Sequence, residues 1–159
     1  FRKNLIKIID NKKNNKAKII FQCSKNLIKK QKEKLRNIKS PIILKDFFIN
    51  VDEILANANL AICRAGAGTI VDLIKFKLPS ILIPLPSSKD NHQFFNAKHI
   101  EGIGMGIIHN QSDKFEILNK KLSDIIEQKT YNKWKEKNNF EHINAATKIV
   151  DEVTKYISK

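Results

Sequence analysis

Leu60-Ala-Ile-Cys-Arg-Ala-Gly-Ala-Gly-Thr-Ile-Val-Asp72 decides the fold. Leu60–Cys63 is a short, unbroken apolar run stopped by a polar, glycine-bearing segment, the mark of a strand buried on both faces. Gly66 and Gly68 allow the sharp turn that follows. Thr69–Phe76 then has helical spacing, and Pro79 marks the way out of the helix. Ser80-Ile-Leu-Ile-Pro84 is a second apolar run. Strand, tight turn, helix and strand make one crossover unit, which requires parallel strands.

The same alternation extends in both directions. Upstream, Ala17–Cys23 and Pro41–Leu44 read as strands. Between them Asn26–Ile38 is a Lys-rich amphipathic helix with Leu27, Ile28, Leu35 and Ile38 inward, and Val51–Asn57 is a short helix. Downstream, His92–Gly102 reads as a helix and Met105–Ile108 as a fifth strand, followed by helices near 114–128, 131–139 and 142–157. The expected class is α/β: a Rossmann-like parallel sheet with helices on both faces. At the N-terminus Phe1–Asp10 has a helical stripe, and residues 11–16 form a polar turn. A doubly wound sheet normally opens on a strand whose turn carries phosphate-binding glycines. We therefore expect a first strand upstream of Phe1, and the absence of an initiating Met points the same way.

The 159 residues are enough for one domain with a real core. Hydrophobic residues are 42% and charged residues 29%, a globular rather than a disordered composition. The longest apolar stretch, Leu78-Pro-Ser-Ile-Leu-Ile-Pro-Leu-Pro86, is far short of the roughly 18 residues of a membrane span and is broken by prolines. Thirty Lys and Arg against sixteen Asp and Glu give a net charge of +14. That charge suits a nucleic acid or an anionic membrane surface. It also suits compositional drift, because Lys, Asn and Ile are all abundant and only Arg2, Arg36 and Arg64 are arginines. A reader of bases would favour the arginine fork, so no specific nucleic-acid partner is expected. Cys23 and Cys63 fall in predicted strands, without CxxC or Cys/His spacing. They are expected to be reduced and buried, and neither a metal nor a cofactor is called for.

Open parallel sheets bind ligands at the C-terminal ends of their strands. Three marked segments lie there: Asp46–Ile49, Arg64–Thr69 and Pro86–Gln93. In the second, the helix start after Gly66 offers free N–H groups and the positive end of a dipole to an anion. Thr69 can add a hydroxyl, and Asp72 lies where a carboxylate reaches ribose hydroxyls. The alternative is an ordinary strand-to-helix turn with a favourable first-turn acid. Near the third, Asp90, Asn91, His92, Gln93 and Asn96 crowd polar groups at a helix start, suited to sugar hydroxyls. The alternative is a helix capped by Asp90 or Asn91. His99 and His109 have no evident partners and read as surface or structural. No Ser/His/Asp set or carboxylate pair can be assembled, so no catalytic residue is assigned.

Ala58–Asp72, Leu78–Pro84, Lys89–Ala97 and Gly102–Gly106 together resemble the MurG family, the bacterial UDP-N-acetylglucosamine transferases that convert lipid I to lipid II in peptidoglycan synthesis. The pairing of R-[SA]-G-A-x-T with D-x-H-Q-x-x-N-A carries the resemblance, which extends over nearly the whole chain. It implies the C-terminal, donor-binding half of a GT-B glycosyltransferase of family 28, occupying residues 1–159 as a single domain. The chain would begin just after that domain's first glycine-rich turn, and the N-terminal acceptor domain would lie outside it.

The resemblance also implies roles for particular residues. Phe48 stands where the family's backbone meets the uracil. Ala67, Gly68 and Thr69 stand at the helix start that meets the diphosphate. Ile70 and Val71 continue that segment to Asp72, which takes the place of the ribose-binding acid, commonly Glu. His92, Gln93 and Asn96 fall in the region that contacts N-acetylglucosamine. The implied reaction is an inverting transfer from UDP-N-acetylglucosamine, the base and the lipid I site lying in the other domain. The implied location is the cytoplasmic face of the bacterial inner membrane, peripherally bound, in the service of cell shape and division. Two other classes fit the residues: another GT-B enzyme (a lipid glycosyltransferase or a UDP-N-acetylglucosamine 2-epimerase), or a non-enzymatic basic module for nucleic acid or membrane.

Overall fold

A computed structural model describes residues 18–136 and Thr154. The elements run in strict alternation: β1 (Ile19–Gln22), α1 (Lys25–Leu35), β2 (Ile42–Lys45), α2 (Val51–Asn57), β3 (Ala61–Cys63), α3 (Ala67–Lys75), β4 (Ser80–Leu82), a 3-10 turn (Lys89–Asn91), α4 (His92–Gly102), β5 (Gly106–Ile108), α5 (Phe115–Glu127) and α6 (Thr130–Glu136). Every predicted strand is present within two residues of its expected start. The expected helix at 1–10, that at 142–157 apart from Thr154, the turn at 11–16 and the end of the 131–139 helix lie outside the described residues.

All pairings are parallel, as crossover helices dictate. The strands form two hydrogen-bonded sets, however, not one sheet: β1–β2 and β3–β4–β5. In the register of the first, Ile19 faces Ile42; in that of the second, Ala61 faces Ser80 and Ser80 faces Gly106. A parallel ladder joins only strands about 4.8 Å apart, and among the described residues no strand bridges the two sets.

β4 shows why the sheet needs helices on both faces. Its three residues are all buried. Leu82 points into a cluster with Ala65, Ile70, Leu73, Leu78, Ala97, Ile100 and Met105, under α3 and α4. Its neighbour Ile81 points the other way, onto Leu118, Leu122 and Ile125 of α5. Successive strand residues alternate faces, so one three-residue strand anchors two cores. On α1 the buried residues are Gln31 and Leu35, whereas Leu27, Ile28 and Ile38 are only half-buried. A polar residue thus takes a core position that the apolar pattern could not reveal.

The outer edge of β5 is closed by side chains. Ile108 N–H donates to Glu101 Oε1 at 3.3 Å, and Lys121 Nζ donates to the Ile108 carbonyl at 2.7 Å. These bonds occupy groups that would otherwise template another strand. The Lys98 hydrogen bond, more than the Ile108 N–H, holds the Glu101 carboxyl below its usual range, against the opposing effect of burial. His109, just past β5, is buried, and its pKa is depressed first by burial and then by Lys121, with Asp113 opposing. His99 is exposed. Both cysteines are free; Cys23 is buried just beyond β1, and burial pushes the Cys63 thiol up to about 12, so Cys63 is not an activated nucleophile. No helix among the described residues is long and apolar enough to cross a membrane.

Candidate functional site

Side-chain hydrogen bonds join the exits of β3 and β4 into one rim, and the sequence-predicted residues between Ala67 and Asn96 lie on the segments that follow these strands. After β3 the chain turns through Gly66, which caps α3 in an extended conformation with no side-chain capping bond. Gly66 O accepts from Ile70 N–H at 3.0 Å. The N–H groups of Ala67, Gly68 and Thr69 precede that first helical bond and have no intrahelical acceptor. Unpaired N–H groups at a helix start can donate to an anion. Ala67 and Gly68 are exposed and Thr69 half-buried, so a ligand can reach this turn.

α3 starts two residues earlier than its sequence suggests, with two consequences. Ile70 falls on the core face, 8% exposed among Leu73 and Leu82, and its N–H is taken by Gly66. This corrects its expected place among the ligand contacts: the helical phase turns it inward. Val71 is exposed on the opposite side. Asp72 becomes the sixth residue of the helix, and α3 has no acid in its first turn. The dipole's attraction for a carboxylate fades beyond the first turn, so the helix-end explanation of Asp72 loses its physical basis. Its carboxylate is half-buried and makes no hydrogen bond among the described residues.

The third segment is held in an unusual conformation. Asp90 and Asn91 both adopt left-handed backbone angles, φ 50° and 52°, where the 3-10 turn meets α4. Asp and Asn tolerate this region better than other side chains. Asn91 occupies the cap position of α4 without a capping bond, so the alternative of a simply capped helix is not what forms. His92 is exposed, with Nδ1 2.7 Å from the Lys89 carbonyl. The carbonyl can only accept, so Nδ1 donates in this contact and Nε2 stays available to a ligand.

Gln93 and Asn96 have each committed one end of their amide. Gln93 Oε1 accepts from Leu85 N–H at 3.0 Å, and Asn96 Nδ2 donates to the Ala65 carbonyl at 2.9 Å. What remains is a donor on Gln93 and an acceptor on Asn96, a complementary pair for a sugar hydroxyl. The Asn96 bond also joins the turn after β3 to the helix after β4, so two motifs far apart in sequence meet directly.

At the exit of β2, Phe48 is buried, with Lys45 Nζ 5.7 Å from its ring centroid. Its side chain is anchored and only its backbone can face a ligand. Phe47 and Ile49 on either side are 68% and 90% exposed. Two adjacent phenylalanines in a loop give no sign in sequence of which one points outward. Among the described residues no three His, Cys, Asp or Glu side chains are grouped to hold a metal ion.

Comparison with known proteins places this rim in a family. The family model described as "Glycosyltransferase family 28 C-terminal domain" matches residues 3–153. The chain belongs to this glycosyltransferase family. Curated relatives of the family 28 domain are named UDP-N-acetylglucosamine–N-acetylmuramyl-(pentapeptide) pyrophosphoryl-undecaprenol N-acetylglucosamine transferase. The protein of that name from Wolbachia pipientis subsp. Culex pipiens (strain wPip) is 40% identical over 97 residues, 61% of this chain and 28% of the relative. The one from Campylobacter jejuni subsp. jejuni (strain 81-176) is 44% identical over 84 residues, 53% of this chain and 25% of the relative. The chain thus spans about a quarter of the length of these relatives. Among solved structures, Acinetobacter baumannii MurG superposes with a TM-score of 0.84 at 24% identity, over 97% of this chain and 45% of that one. The glycosyltransferase VinC in complex with dTDP gives 0.64 at 15% identity, over 84% and 31%. These likenesses establish the Rossmann-like fold of a family 28 C-terminal domain, and the family is the one that Arg64–Asp72 and Lys89–Ala97 resemble.

Proposed function

We propose that this chain is the donor-binding domain of an inverting UDP-N-acetylglucosamine transferase of the MurG type, acting on lipid I to give lipid II. One observation supports the reading most directly: the Asn96–Ala65 hydrogen bond at 2.9 Å joins the glycine-bearing turn after β3 to the polar start of α4. The uracil would lie against the backbone at Phe48, beside the exposed ring of Phe47. The diphosphate would sit on the N–H groups of Ala67, Gly68 and Thr69. Asp72 would accept from the ribose hydroxyls, and Gln93 and Asn96 would clamp a hydroxyl of N-acetylglucosamine, with His92 Nε2 as a further contact.

In an inverting transfer the acceptor hydroxyl attacks the anomeric carbon as the bond to the diphosphate breaks. UDP leaves with the bonding electron pair, and a base takes the hydroxyl's proton. Charge develops on the leaving diphosphate, where the fixed N–H groups of α3 meet it without reorganisation. No residue of this chain is assigned as the base. The base and the lipid I site are proposed to belong to the part of the relatives that these residues do not span. Calorimetric titration with UDP tests the reading: saturable heat, displaced by UDP-N-acetylglucosamine, is expected, and no heat with either ligand would overturn it.

The outer face of α1 carries Lys25, Lys29, Lys30 and Lys32, all exposed. We propose that this face meets the anionic surface of the inner membrane from the cytoplasmic side. Each lysine near such a surface contributes about 1 kcal/mol. Exchanging the four for glutamine is expected to reduce co-sedimentation with anionic vesicles while leaving UDP affinity unchanged. Vesicle binding insensitive to the exchange would assign the +14 charge to composition alone.

A further inference from the structure

We propose that Arg64 is a positioning residue that laces the exits of β3, β4 and β5 into one rigid rim, and so sets where the sugar-binding groups stand relative to the phosphate-binding turn. This rests on the donor-site reading above. Arg64 Nη1 donates to the carbonyls of Ile83 and Pro84, both at 3.1 Å, and Nη2 donates to Gln111 Oε1 at 2.6 Å. One guanidinium therefore holds two residues beyond β4 and one beyond β5.

The need for such a group follows from the sequence. Ile83-Pro-Leu-Pro86 leaves the sheet with two residues that have no N–H, so the segment cannot continue a ladder by itself. Ile83 N–H still reaches Cys63 O at 2.8 Å, and from there the side chains take over. The planar guanidinium presents its donors in a fixed fork, which an ammonium cannot copy. A return path completes the structure. Asn96 Nδ2 bonds the carbonyl of Ala65, the residue next to Arg64, and Gln93 Oε1 bonds the N–H of Leu85, the residue next to Pro84. Chain and hydrogen bonds form a closed circuit: Arg64, Ala65, Asn96, Gln93, Leu85, Pro84 and back to Arg64. The two amides proposed to hold the sugar are members of that circuit. The free N–H groups of α3 that would hold the diphosphate follow it and do not depend on it. Opening the circuit at Arg64 should therefore loosen the sugar end selectively.

The test is titration of the chain and three variants, Arg64→Lys, Arg64→Ala and Gln111→Ala, with UDP and with UDP-N-acetylglucosamine, below the melting temperature of each. A misplacement of about 1 Å can cost on the order of a hundredfold where function depends on geometry, so a smaller shift of the sugar-binding amides is expected to cost less than that. Both Arg64 variants are expected to lose about tenfold in affinity for UDP-N-acetylglucosamine and less than about threefold for UDP. Gln111 is exposed and its loss removes one of the three bonds, so Gln111→Ala should fall between wild type and the Arg64 variants. If Arg64→Ala fails to fold, Arg64→Lys and Gln111→Ala decide. Wild-type behaviour of Arg64→Lys would mean that only the charge matters, and equal losses for both ligands would mean general loosening; either overturns the proposal while the donor-site reading stands. A wild-type chain that binds neither ligand removes the donor-site reading, and Arg64's role with it.

Discussion

Gly106→Val is expected to destabilise the domain by about 3 kcal/mol or more, beyond the usual range for overpacking. A Cβ at Gly106 would overlap the carbonyl oxygen of Ser80 and stand 2.8 Å from its Oγ. Ser80 is fully buried on β4, its carbonyl belongs to the ladder, and Gly106 is its partner in register. Backbone cannot swing away as the end of a flexible side chain can, so β5 must shift and strain both cores. Gly68→Ala is the matched control, because an added Cβ there meets nothing within 4 Å. In a helix it should be neutral or stabilising by up to about 1 kcal/mol. Urea denaturation of the two variants checks both; a Gly106 variant as stable as wild type would mean that β4 and β5 are not this close.

Asp72→Ala is expected to weaken UDP binding by about 2–3 kcal/mol, the contribution of hydrogen bonds to a charged acceptor. Asp72→Asn keeps a neutral bond and should lose roughly tenfold, whereas Asp72→Glu should be tolerated. None should change stability appreciably, because Asp72 is partly exposed, makes no hydrogen bond among the described residues and lies beyond the first turn of α3. Affinity and melting temperature measured on the same proteins distinguish the possibilities. A lowered melting temperature with unchanged UDP affinity would make Asp72 a structural charge after all.

The strands were legible because each is a compact apolar run between polar or glycine-bearing segments, and β4 is buried on both faces as its sequence implies. The division of the strands into two sets was not legible, because strand neighbours are non-local and no local pattern names them. The start of α3 was misjudged because Ala67 and Gly68 resemble loop and helix equally. That two-residue error decides whether Ile70 faces a ligand or the core, and whether Asp72 feels the helix dipole. Around the site, residue types were readable and partners were not. Gln93 and Asn96 could be picked out as polar groups near a sugar, yet half of each amide turns out to hold the backbone. Arg64 was quoted within a motif without a task, because its partners Ile83, Pro84 and Gln111 lie 19 to 47 residues away. The paired left-handed residues Asp90 and Asn91 leave no trace in sequence beyond being types that tolerate them.

The central claim is that the rim formed by the exits of β3 and β4 is where a UDP-sugar binds. The most direct measurement is an NMR titration of the isotopically labelled chain with UDP-N-acetylglucosamine, following amide shifts residue by residue. The predicted result is saturable movement of the backbone amides of Ala67, Gly68 and Thr69 and of the Gln93 side-chain NH2, with the amides of α1 unmoved. Shifts confined to α1, or none at saturating ligand, would contradict it.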